Sequence, residues 1–127
     1  MKTTLLLVIG LGGALGSIGR HLVATAVGQA TGGGWPWGTL AVNAIGGLAI
    51  GLLAEVIASR WQGGPELRAF LITGVLGGFT TFSAFSLDAV ALFERGAWAA
   101  AIAYVAASVV LSLIGTLAGI AAIRAFA

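Results

Sequence analysis

The sequence contains no cysteine and very few charges. Without cysteine, disulfide frameworks, thiolate catalysis and thiolate metal sites are excluded, and the redox environment of the protein stays undetermined. Only 8% of the 127 residues are charged, whereas an average soluble domain is about 25% charged. A water-facing surface cannot be built from this composition. The cationic residues are scattered singly, which argues against a patch that binds nucleic acid.

Long apolar stretches make up nearly all of the chain. A bilayer core about 30 Å thick needs roughly 20 apolar residues of helix, and four segments meet this requirement. They run from about Thr4 to Val27, Trp37 to Ile57, Leu67 to Phe93 and Ala97 to Phe126, separated by turn-rich segments. The sequence therefore predicts an all-α membrane protein in which residues 1–127 form one domain of four transmembrane helices.

The charges give these helices no strong orientation. With an even number of spans, one side of the membrane holds Lys2, Arg60, Arg68 and Arg124, and the other holds Arg20 and Arg95. This bias is weak under the positive-inside rule. The sequence therefore permits insertion in both orientations, and an antiparallel homodimer could form.

Glycine is abundant, with 21 residues. Spacings of four, as from Gly12 to Gly16 and from Gly47 to Gly51, let helix backbones approach closely in lipid. The simplest interpretation is tight packing alone. Because four thin helices cannot easily enclose an aqueous path, we also expect assembly of more than one chain.

The middle of the third span, from Gly74 to Ser86, combines glycines with hydroxyl groups. Glycine lowers helix stability by about 1 kcal/mol relative to alanine, and hydroxyls can satisfy backbone groups that a break releases. A broken helix is predicted here, with a simple packing kink as the alternative. Unwound carbonyls at such a break can bind a cation.

Two phenylalanines follow this segment, at Phe82 and Phe85. They are three residues apart and share a helical face. Such a pair usually faces lipid or packs in a core. The alternative is an anion site, because the positive edge of a phenyl ring attracts negative charge.

The fourth span carries a hydroxyl at every fourth residue: Tyr104, Ser108, Ser112 and Thr116. Hydroxyls donate hydrogen bonds without carrying charge, which suits a path for a strongly hydrated anion. A purely structural stripe is the alternative, since serine and threonine also bond back to helix carbonyls.

The second span contains Asn43, with Thr39 one turn before it. A side-chain amide in hydrocarbon must be paired, so Asn43 either bonds to another helix or lines an anion path. Arg20 is either a snorkelling anchor or a positive charge at a pore mouth. His21 has no second ligand nearby, so metal binding there is not expected, and no role follows for Thr39 or His21. Enzyme signatures are missing, so catalysis is not expected.

Two motifs in register identify a resemblance. The segment from Gly77 to Ser86, GGFTTFSAFS, resembles the signature of the Fluc family of fluoride channels, also called the CrcB family. The segment from Trp35 to Asn43, WPWGTLAVN, resembles the second-helix motif of that family. The likeness extends over the whole chain in length, span number and order.

The resemblance implies a dual-topology homodimer in the plasma or inner membrane, with two pores that passively export fluoride. It implies one structural, non-transported sodium ion at the dimer centre, held by the main-chain carbonyls of Gly77 and Thr80 from both subunits. It also assigns the fluoride path to Asn43, the edges of Phe82 and Phe85, and the hydroxyls of Tyr104, Ser108, Ser112 and Thr116. The implied partners are fluoride, the lipid bilayer and a second copy of the chain, and no nucleic acid.

Two competing hypotheses explain less of the sequence. A proton-coupled exporter like the small multidrug resistance family needs a membrane-embedded carboxylate, but the first span has none and Glu55 falls near the end of the second. A non-transporting scaffold explains the glycines but not the hydroxyl stripe.

Overall fold

The computed structural model describes residues 2–126, and every regular element in that range is a helix. The elements are α1 (Thr3–Thr31), α2 (Trp37–Arg60), α3 (Pro65–Ala69), a π-helical segment (Phe70–Leu76), α4 (Gly77–Phe79), α5 (Phe82–Glu94) and α6 (Trp98–Ala125). We refer to Pro65–Glu94 as the third span. Together with α1, α2 and α6 it makes four stretches long and apolar enough to cross a membrane, which confirms the predicted spans.

The ends of the helices follow local chemistry. The first helix continues to Thr31, beyond the predicted end near Val27, and the Thr31 hydroxyl donates to the Val27 carbonyl at 2.8 Å. It stops at Gly32, whose φ of 76° lies in the left-handed region that glycine enters without strain. The third span begins with Pro65 in the first turn, where a missing N–H leaves no helical bond unmade.

Glycines bring the helices into backbone contact, as their spacing predicted. On α1, a Cβ added at Gly12 would lie 2.6 Å from the Phe70 carbonyl oxygen and 2.9 Å from Gly74 Cα. On α2, a Cβ added at Gly47 would lie 2.6 Å from the Ser112 carbonyl oxygen of α6. Alanine would therefore separate the helices at these positions, since backbone atoms cannot rotate away.

A small aromatic core joins the connection between α1 and α2 to α6. The ring of Tyr104 is fully buried and packs edge to face against Trp35, with ring centroids 5.4 Å apart. The Trp35 indole N–H donates to the Ala100 carbonyl at 3.2 Å. These contacts fix the connection between α1 and α2 against the first two turns of α6.

Charges pair at the end of the bundle where α2 and α6 both finish. Arg124 forms an ion pair with Glu55 at 3.1 Å. Arg60 donates to the Phe126 carbonyl at 2.8 Å. Elsewhere many large apolar side chains are exposed, among them a row on α1 formed by Leu7, Leu11, Leu15, Ile18 and Leu22. Such surfaces suit a lipid environment.

Candidate functional site

The third span has two non-helical residues, Thr80 and Thr81. Their φ and ψ angles are −79° and 157° for Thr80, and −153° and 118° for Thr81, so both are extended. The glycines at 77 and 78 are helical and lie before this point. The Thr80 N–H and hydroxyl both bond to the Leu76 carbonyl at 3.0 Å. The Thr81 hydroxyl caps α5 by accepting the Ala84 N–H at 3.1 Å.

Asn43 of α2 pairs with the backbone of Thr81. The Asn43 Nδ2 donates to the Thr81 carbonyl at 2.9 Å, and the Thr81 N–H donates to Asn43 Oδ1 at 2.8 Å. This double pairing fixes which end of the amide is oxygen and which is nitrogen. Since Nδ2 carries two hydrogens, one N–H is left for another acceptor.

Two donors near the extended residues are redirected away from helix carbonyls. An uninterrupted helix pairs each carbonyl with the N–H four residues later. For the Gly77 carbonyl this donor is the Thr81 N–H, which instead donates to Asn43. For the Thr80 carbonyl it is the Ala84 N–H, which instead donates to the Thr81 hydroxyl. The carbonyls of Gly77 and Thr80 thus lose the partners that a continuous helix would give them.

An open cavity of about 490 Å³ lies between α2, the third span and α6. Seven of the predicted site residues line it: Asn43, Gly77, Thr80, Phe82, Phe85, Ser108 and Ser112. Aliphatic side chains and two glycines form most of the remaining wall, and no charged side chain among residues 2–126 lines it. The site can therefore offer dipoles and ring edges, but no full charge, to a ligand.

The two phenylalanines form one side of this cavity. Their ring centroids are 5.3 Å apart and the rings are tilted by 48°. Phe85 also packs on Tyr104, at 5.3 Å between centroids, whereas Phe82 is 78% exposed. Phe85 is thus held by the aromatic core, and Phe82 is open to whatever covers this face.

The hydroxyl stripe of α6 divides into members with and without partners. The Tyr104 phenol is buried and donates to Asp88 Oδ2 at 3.1 Å, with the hydroxyls of Thr39 and Ser108 nearby. Asp88 therefore binds a buried phenol. Ser108 is 6% exposed, and its side-chain oxygen has no hydrogen-bond partner of acceptable geometry among the described residues.

The other end of the stripe is structural in its contacts. The Thr116 hydroxyl lies 3.0 Å from both the Gly47 carbonyl of α2 and the Ser112 carbonyl of its own helix, so its hydrogen is shared between them. Ser112 lines the cavity, whereas Thr116 and Tyr104 do not. The four hydroxyls thus lie in one row but have three different environments.

Arg20 is half-buried and His21 is exposed, and neither lines the cavity. No cluster of three or more His, Asp or Glu side chains that could hold a metal ion occurs within residues 2–126.

Sequence reasoning missed Asp88 as the partner of Tyr104. A signal was present, because Asp88 lies three residues after Phe85 on the helical face that the phenyl ring shares.

Comparison with known proteins identifies the family. The sequence model described as "CrcB-like protein, Camphor Resistance (CrcB)" matches residues 7–120. A protein of Rhizobium meliloti (strain 1021) is 54% identical over 120 residues, which cover 94% of this chain and 96% of that protein. A protein of Rhodospirillum centenum is 53% identical over 120 residues, covering 94% and 95%. Both bear the name fluoride-specific ion channel FluC, an ion channel and not an enzyme. The chain therefore belongs to the CrcB-like family.

Proposed function

We propose that this multi-pass membrane protein is a fluoride-selective channel that lets fluoride leave the cell passively. The observation that carries this proposal is the Ser108 hydroxyl, which is buried, has no hydrogen-bond partner among residues 2–126 and lines a mostly apolar cavity. An unpaired buried hydroxyl costs about 1–3 kcal/mol. A ligand that accepts a hydrogen bond would remove this cost, and the names of the family relatives indicate fluoride.

The chemistry of the cavity favours a small anion. Asn43 has one N–H left after pairing with Thr81, and Ser108 and Ser112 have hydroxyl donors. The edges of Phe82 and Phe85 add weakly positive surface. No single group among these binds an ion tightly. Conduction requires sites that admit an ion and also release it, so weak donors in series suit a channel better than a fixed cation would.

A structural sodium ion is part of the proposal. The carbonyls of Gly77 and Thr80 fit this ion, because redirection of their helical donors leaves oxygen atoms that can coordinate a hard cation. When bound, sodium would supply positive charge that holds the unwound segments of two subunits together. We propose that the third span acts as a discontinuous helix for this reason.

We further propose that the channel is an antiparallel homodimer with two pores. The cavity is open at the side, and Phe82 at its margin is 78% exposed. A second copy would close this opening and supply the missing wall. Insertion in both orientations is supported by the weak charge bias, with four cationic residues on one side and two on the other.

Fluoride efflux from liposomes that contain the purified protein tests the proposed function. We expect a fluoride-selective electrode to record rapid fluoride release and a chloride electrode to record almost none. Protein-free liposomes are the control for leakage. Equal release of both anions would contradict selectivity, and release of neither would contradict the channel itself.

A further inference from the structure

Gly46 of α2 faces the first extended residue of the third span. A Cβ built at Gly46 would overlap the Thr80 Cγ2 methyl group, and it would lie 3.6 Å from Thr80 Cβ and 3.7 Å from Phe79 Cδ1. Gly46 is buried and also lines the cavity. The Thr80 methyl group therefore occupies the space that a side chain at position 46 would take.

Thr80 cannot easily turn away from Gly46. Its hydroxyl donates to the Leu76 carbonyl at 3.0 Å, and a β-branched side chain has few favourable χ1 angles. Rotation of the methyl group away from α2 would also move the hydroxyl away from that carbonyl. A methyl group added at Gly46 would therefore displace the Thr80 backbone as well as its side chain.

Asn43 holds the next residue from the same helix. It lies three residues before Gly46 on α2, and its amide pairs with the Thr81 backbone. One face of α2 thus contacts both extended residues, through a hydrogen-bonded pair at Thr81 and a packing contact at Thr80. The hydrogen-bonded pair holds the Thr81 backbone against α2, and the packing contact sets the distance between α2 and Thr80.

We propose that Gly46 is a positioning residue, and that its lack of a side chain sets the position of the Thr80 carbonyl and of the first turn of α5. The proposal rests on the proposed function, in which that carbonyl binds sodium and Phe82 in that turn borders the anion path. It implies that the sizes of residues 46 and 80 are matched. The harm done by a larger residue at position 46 should therefore be reduced by a smaller residue at position 80.

A size exchange tests the match. Gly46→Ala adds a methyl group at the contact, and Thr80→Ser removes the Cγ2 methyl while keeping the hydroxyl and the main-chain carbonyl. The double variant combines both changes. Gly28→Ala is the matched control, because a Cβ there meets no described atom within 4 Å. Each protein is assayed for fluoride efflux from liposomes, and for the rise in unfolding temperature when sodium replaces a large organic cation.

We expect Gly46→Ala to lose the sodium-dependent rise and at least about tenfold in fluoride flux, since overpacking a rigid contact shifts an equilibrium by one to two decades. Thr80→Ser alone should lower the fluoride flux about threefold, because it leaves a methyl-sized void. The double variant should exceed Gly46→Ala in both measurements, and Gly28→Ala should match the wild type. If Gly46→Ala does not fold, recovery of folded protein in the double variant supports the proposal.

Wild-type behaviour of Gly46→Ala, or a double variant no better than Gly46→Ala, would overturn the role of Gly46. The two measurements also separate this proposal from the proposed function. A wild-type protein that conducts no fluoride would refute the channel, yet the sodium-dependent rise would still decide whether residues 46 and 80 are matched. A wild-type protein without that rise would refute the sodium site, and the fluoride flux of the variants would then decide whether residues 46 and 80 are matched.

Discussion

Replacing Ser108 with alanine distinguishes a hydroxyl that serves a passing ion from one that stabilises the fold. Ser108 is 6% exposed, and its side-chain oxygen is unpaired within residues 2–126. A buried hydroxyl without a partner costs about 1–3 kcal/mol, so its removal should leave the free energy of unfolding unchanged or raise it by up to about 1 kcal/mol. A hydrogen bond to a charged group contributes about 1.5–3 kcal/mol, so fluoride flux should fall roughly 10- to 100-fold.

The substitution should therefore lower the fluoride flux without lowering the stability of the protein. Chemical unfolding of the purified protein measures stability, and fluoride efflux from liposomes measures conduction. Ser59→Ala is a suitable control, because the Ser59 hydroxyl bonds to the Glu55 carbonyl at the far end of α2 and does not line the cavity. Loss of stability together with wild-type flux in Ser108→Ala would show that the hydroxyl is structural and would refute the reasoning.

Other substitutions test the remaining parts of the site. Thr116→Val should lower the free energy of unfolding by about 1 kcal/mol with or without fluoride, because the Thr116 hydroxyl joins α6 to α2. Thr116→Ser keeps the hydroxyl and should not lower it. Equal stability of the two variants in chemical unfolding would contradict this role. Phe82→Ile and Phe85→Ile should each reduce fluoride efflux severely while size-exclusion chromatography shows the proposed dimer intact, and wild-type efflux in both would identify the rings as packing residues. Asn43→Ala leaves two backbone groups of Thr81 without partners, so unfolding should be easier by about 2 kcal/mol or more; unchanged stability in the same assay would contradict the pairing. Cysteine-accessibility labelling from each side of the membrane should find both orientations of the chain, and a single orientation would exclude dual topology.

The four spans were predictable because lipid imposes one strong rule. A lipid-exposed backbone must satisfy its own hydrogen bonds, so length and apolar character are enough to identify a spanning helix. The glycine contacts were predictable for a related reason, since spacings of four place small residues on one face, as at Gly47 and Gly51. The end of α1 was placed too early, because polar residues after Val27 still continue a helix until Gly32.

The detail of the third span could not be predicted from local sequence. The sequence predicted a break somewhere between Gly74 and Ser86 but not its exact residues; in the structure Gly77 and Gly78 are helical, and Thr80 and Thr81 are extended. The difference arises because the Thr81 N–H finds its acceptor on another helix, in the side chain of Asn43. A tertiary partner therefore determines where the helix ends. The partner of Thr116 on α2 likewise depends on how closely the two helices approach, which composition does not specify.

Asn43 links the two ions of the proposed mechanism. Its Oδ1 takes the N–H that the Gly77 carbonyl would otherwise receive, and so leaves that carbonyl without its helical donor, as the proposed sodium site requires. One Nδ2 hydrogen holds the Thr81 carbonyl, and the other remains for an anion in the cavity. The amide cannot rotate to follow a moving anion without breaking its pair with Thr81. In the proposed mechanism, the donor offered to fluoride is therefore fixed by the same Asn43–Thr81 contacts that prepare the cation site, and loss of sodium should also disturb that donor.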